Sequence, residues 1–166
     1  ISRMHLTVMP PDLDYESAPH ALELRDENLL LEIQVDQVSV EAGDSLTGSF
    51  LITRVKEDGA LPKSIVFSLA AIEESGKGKH RRVIWRMENS VQPTAEMAYP
   101  VAGNFEFPID LNSPTSGKWY MFMVHCGFRV RIDWGEHNQR ESLTIQIRHR
   151  IVPQGPARFA VDKPDR

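Results

Sequence analysis

From Leu29 to Ile147 apolar and polar residues alternate in short runs, and clusters of glycine, proline and charge interrupt the alternation. A period of two marks a strand with one buried face, because successive side chains point to opposite sides of a sheet. Leu29, Leu31, Ile33 and Val35 form one run. Val38 and Val40 continue in the opposite phase, so the slip at Asp36 and Gln37 predicts a β-bulge or a crossing between sheets. Residues 38–52 are predicted to form a hairpin. Its turn cluster is Glu41, Ala42, Gly43 and Asp44, and alternation resumes at Leu46 and runs through Phe50 and Ile52.

Ile65, Phe67, Leu69 and Ala71 mark the next strand, and charged, glycine-bearing residues 73–79 read as a loop. Val83, Trp85 and Met87 follow on one face. Residues 90–103 are irregular, with room for a helical turn near Ala95 to Met97. Phe105, Phe107 and Ile109 alternate again, but Pro108 cannot donate to a ladder and demotes this run to an edge or a strand end. After a loop at 110–118 comes the longest signal, residues 119–134. Phe122, Val124, Cys126, Phe128, Val130 and Ile132 lie on one face, and Met123, His125, Arg129, Arg131 and Asp133 on the other. A turn at 135–139 leads to a return strand carrying Leu143, Ile145 and Ile147. Segments 119–134 and 140–152 are expected to pair antiparallel, since a one-residue slip would put their core residues in water.

These runs predict an all-β fold: an antiparallel β-sandwich of roughly seven to nine strands, with a closed barrel as the competing solution. The domain is expected over residues 28–152. Residues 1–27 read as an N-terminal extension or linker in which residues 4–9 can form a short strand, and residues 153–166 as an extended tail.

The chain has 166 residues, enough for one domain with a substantial core. Its net charge of -4 argues against a dedicated nucleic-acid binder. No apolar run approaches the roughly 20 residues of a membrane span. Cys126 is the single cysteine, so no intrachain disulfide forms, and a reducing, cytoplasmic setting is expected. The chain begins at Ile1 without a secretory signal pattern, as expected of a piece of a longer protein.

The order of these segments carries a resemblance. A strand and phase slip precede Val40, Glu41, Ala42, Gly43, Asp44, Ser45, Leu46, Thr47, Gly48, Ser49 and Phe50; then come Ile65 to Leu69, Phe105 to Ile109, a loop with Ser113 and Pro114, and a long final hairpin. Over residues 29–152 this resembles the arrestin-like sandwich domain of arrestins, the arrestin-like retromer subunit and bacterial sporulation-control proteins. Members commonly carry two such domains in tandem, and one fits here. The resemblance implies a non-enzymatic scaffold, adaptor or complex subunit that grips other proteins and serves trafficking-type assemblies, with peripheral membrane association through a complex compatible with it.

The candidate chemistry is sparse. The six histidines show no metal-ligand spacing and Cys126 has no cysteine partner, so no metal or other cofactor is expected. Cys126 falls on the inward face while His125 points the other way, which separates them as a nucleophile and base. No Gly-x-Ser-x-Gly elbow occurs, and Gly76 to Lys79 lacks the spacing and Ser/Thr of a phosphate loop. The chain is therefore not expected to be an enzyme. Trp85, Trp119 and Trp134 either fill or cap a core or stack a ligand. The second role would make this a carbohydrate-binding module of a larger protein. The strongest functional signal is basic: His125, Arg129, Arg131, Arg148 and Arg150 are expected to share one outer sheet face. They would offer an acidic or phosphorylated protein partner the planar forks that pair with carboxylate and phosphate oxygens. The bland alternative is a solvated sheet face whose charges contribute little.

Overall fold

A computed structural model describes residues 20–118 and 122–150. The expected short strand at residues 4–9, Trp119 and the tail from residue 153 lie outside the described residues. Ten strands are described: β1 (Ala21–Arg25), β2 (Leu29–Val35), β3 (Ser39–Glu41), β4 (Ser45–Arg54), β5 (Ser64–Ser75), β6 (His80–Val91), β7 (Val101–Pro108), β8 (Gly117–Lys118), β9 (Phe122–Asp133) and β10 (Asn138–Arg148). They form two sheets. One has the order β1-β2-β4-β7; the other has the order β3-β10-β9-β5-β6, with β8 also paired to β9. The fold is an all-β sandwich, and the described pairings are antiparallel except for β3 with β10.

The slip at Asp36 and Gln37 is the crossing between sheets: β2 lies in the four-stranded sheet and β3 in the other. The hairpin expected at 38–52 is corrected by the same fact. Its turn exists, with Gly43 at φ 95° and Asp44 N donating to Glu41 O at 3.0 Å. Its arms do not pair. β3 runs parallel to β10, whereas β4 pairs with β2 and β7. Alternation reports a buried face but not which neighbour supplies the ladder. Here both arms bury their apolar residues in the shared core from opposite sides.

Three further expectations change. The domain does not begin at residue 28, because β1 pairs with β2 through a turn in which Asp26 Oδ1 accepts from Asn28 N and Leu29 N, each at 2.8 Å. Residues 73–75 extend β5 instead of looping, because Glu73 and Glu74 face Arg82 and Arg81 across the ladder and pair with them at 3.0 and 2.7 Å. Val83 leaves the face of Trp85 and Met87, because the register slips between Ala71 and Ile72, and 47% of Val83 is exposed. Pro108 ends β7, an edge strand, as its missing donor requires.

Five phenylalanines meet in the core among aliphatic side chains. Phe50, Phe105 and Phe107 come from the four-stranded sheet, Phe67 and Phe128 from the other. Ring centroids lie 5.0 Å apart for Phe50 and Phe67, 5.5 Å for Phe67 and Phe105 and 4.9 Å for Phe105 and Phe128. Two of the rings rest on glycine. Gly48 pairs with Phe105 and Phe50 with Gly103 across β4 and β7, so each ring covers the other strand's glycine. A Cβ at either position would strike that ring. Gly103→Ala and Gly48→Ala should each lower stability by about 1–3 kcal/mol, the usual cost of overpacking a filled core. Gly127 sits on the other sheet with only Leu143 O at 3.7 Å from a built Cβ, so Gly127→Ala should stay within about 0.5 kcal/mol. Urea unfolding of the three variants checks this, and equal losses at Gly103 and Gly127 would contradict it.

Candidate docking face

The six-stranded sheet turns one face to the core and the other to solvent. On β9, His125, Gly127, Arg129 and Arg131 alternate with buried Val124, Cys126, Phe128, Val130 and Ile132. On β10, Arg140, Ser142 and Thr144 alternate with buried Leu143 and Ile145. Register then fixes the neighbours: Arg131 lies opposite Arg140, Arg129 opposite Ser142 and, on its other side, Ser68. Small residues at the sheet centre, among them Ser68, Ala70, Gly127 and Thr144, leave a depression of about 600 Å³ rimmed by Arg86, Arg129 and His125.

The five expected site residues do not form one patch. β9 and β10 pair from Asn138 and Asp133 as far as Ile145 and Cys126. Beyond that point β8 takes the edge of β9, pairing with Val124 and Met123. Ser116 holds β10 away: its N donates to Ile147 O and its Oγ accepts from Ile147 N, both at 2.9 Å. β10 continues onto β3. By the same register Arg148 lies six residues past Ser142, the partner of Arg129, about 20 Å along the strand at 3.3 Å per residue. There Arg148 Nε donates to Ser39 Oγ at 2.8 Å and Nη1 to Glu41 at 3.3 Å, while Arg150 Nη2 meets Asp44 at 2.9 Å. These two arginines brace the Gly43 turn and β3. Arg129 and Arg131 stand apart from them, joined instead by Arg140, which the sequence reading did not single out. Its signal was available: the β9–β10 turn fixes a register that sets residue 140 against 131.

The charges of this face divide sharply. Arg81, Arg82, Arg86, Arg148 and Arg150 each have a carboxylate within 4 Å. Arg129, Arg131 and Arg140 have none among the described residues, and Arg131 Nε is buried without a hydrogen-bond partner. His125 Nε2 and Glu74 Oε2 lie 2.9 Å apart. This hydrogen bond is the main reason the Glu74 carboxyl sits below its ordinary range. The charges of His125 and Arg81 also lower it, and desolvation opposes them.

Cys126 is buried, and burial pushes its thiol up to about 11, the opposite of what an activated nucleophile needs. Trp85 and Trp134 both pack against the core. Trp134 also stacks on His137 and donates Nε1–H to Gln139 Oε1 at 3.1 Å, so it caps one end of the sandwich. No group of three or more His, Cys, Asp or Glu among the described residues is placed to hold a metal.

No family model matches the chain, and no curated protein matches it. Among solved structures it is similar to the sporulation control protein Spo0M of Bacillus subtilis, with 14% identity and a TM-score of 0.44, over 74% of this chain and 50% of that one. The chain thus spans about half the length of the solved chain it matches. At this identity and TM-score the likeness assigns neither family nor activity. No helix among the described residues is long and apolar enough to cross a membrane.

Glu74 gives a signed pH prediction. A carboxyl with a lowered folded-state value adds stability that is fully present above its ordinary value of 4.5 and lost as pH falls through the lower folded value. His125→Ala should return Glu74 toward 4.5 and reduce this acid sensitivity. Carboxyl NMR titration of Glu74 reads it directly, and an unchanged value in the variant would refute the assignment.

Proposed function

We propose that this chain is a non-enzymatic protein-interaction domain, serving as scaffold, adaptor or complex subunit. Its outer six-stranded face docks a partner with an acidic or phosphorylated surface. The observation that carries the reading is the cross-strand pair Arg131 and Arg140, flanked by Arg129, with no carboxylate among the described residues to neutralise it. Like charges directly opposite on a sheet are destabilising. The other arginines of that face, Arg81, Arg86 and Arg148, are neutralised, so these three are its arginines left to meet an external anion. The guanidinium fork suits either a carboxylate or a phosphate.

Wild-type protein and Arg129→Glu with Arg140→Glu, both exposed positions, are immobilised and offered the same extract. Proteins held by the wild type should be lost from the charge-reversed surface and released by about 1 M salt, where screening reaches about 3 Å. Arg148→Ala with Arg150→Ala should retain them. Equal sets of proteins on the wild-type and charge-reversed surfaces would end the proposal.

A further inference from the structure

The outer face of the other sheet carries the opposite charge. On β1 and β2, Glu23 lies directly opposite Glu32, and neither has an ion-pair or hydrogen-bond partner for its side chain among the described residues. Leu51 and Ala102 continue the same row across β4 and β7. The carboxylates of Asp36 and Glu106, further along the sheet, accept only from hydroxyls, of Thr47 and Ser45. Arg25 is the cation of that face among the described residues of these strands. The row borders a depression of about 610 Å³. The sandwich therefore has two outer faces of opposite sign. Each contains a like-charged pair set squarely across two neighbouring strands, Arg131 with Arg140 on one and Glu23 with Glu32 on the other. Each pair costs stability alone, and each is the complement of the other in sign and in spacing, since both are set by the same interstrand repeat.

We propose that the acidic surface received by the basic face is the four-stranded face of a second copy of this chain, so that copies stack sheet to sheet, head to tail. This rests on reading the basic face as a docking surface. The contact joins two different faces and leaves one of each kind free at the ends, so it builds short open stacks rather than a closed twofold dimer. Four strands at about 4.8 Å by some seven residues at about 3.3 Å give a face of roughly 19 by 23 Å. A stacked contact then covers on the order of 450 Å² per copy, the low end of specific interfaces, so the association is weak and strongly governed by salt.

Sedimentation velocity over a concentration series tests it. The wild type should show mass rising with concentration at about 10 mM salt and monomer at about 1 M, as the screening length falls from about 30 to about 3 Å. Glu23→Lys with Glu32→Lys, and separately Arg129→Glu with Arg140→Glu, should each be monomeric. All four positions are exposed, so circular dichroism should match the wild type. Mixing the two variants should restore association, because each brings the charge the other now lacks. A wild type that is monomeric at low salt, association that survives either double reversal, or a mixture that stays monomeric overturns the inference. If the wild type is monomeric while extract proteins are still lost on Arg129→Glu with Arg140→Glu, the interaction reading stands and self-stacking alone falls.

Discussion

The contact on which the sandwich depends is the seating of two phenylalanine rings on two glycines. Phe50 and Phe105 belong to adjacent strands of one sheet, and each lies over the glycine opposite it. That lets both rings lie flat enough to stack on Phe67 and Phe128 from the facing sheet. Stacked aromatic pairs contribute about 0.5–1.5 kcal/mol each beyond their buried area, and here they set how the two layers meet. The spaced glycines of the Gly-Asp-x-x-x-Gly segment thus have separate duties. Gly43 supplies the positive-φ residue of the turn from β3 back to β4, and Gly48 supplies room for a ring.

A core filled this way admits almost no polar group. The buried polar side chains described are Thr115 and Ser116. Ser116 earns its place by bonding the backbone of β10 at Ile145 and Ile147. That bond parts β9 from β10 beyond Ile145, whereas the register between them sets which arginines are neighbours.

Much of the fold was legible because it follows from local rules. Alternation located every described strand except β1 and β8, which lie in segments read as a linker and a loop; Pro108 marked an edge, and the phase slip at Asp36 marked a change of sheet. Pairing was not legible in the same way. Val40 and Leu46 flank a good turn, yet their strands join different sheets, since the ladder partner is chosen by distant β10 and β7. The extension of β5 through Glu73 was hidden by its charges, which sequence reading assigns to loops and which here pair across the ladder. The slip that moves Val83 outward has no local signature in the run of apolar residues around it.

The basic site shows the same division. Facing is a local property, and parity alone placed Arg129, Arg131 and Arg148 on the solvent side of their strands. Adjacency depends on the ladder register, which sets Arg140 rather than Arg148 against Arg131. Charge balance depends in turn on adjacency. Glu41 and Asp44 reach Arg148 and Arg150 because the crossing brings β3 beside β10, and nothing equivalent reaches Arg129, Arg131 or Arg140. A pattern of arginines in sequence is therefore only a pool of candidates. Which of them keep charge to offer another molecule is settled by the ladder register and by the acids that the fold happens to deliver.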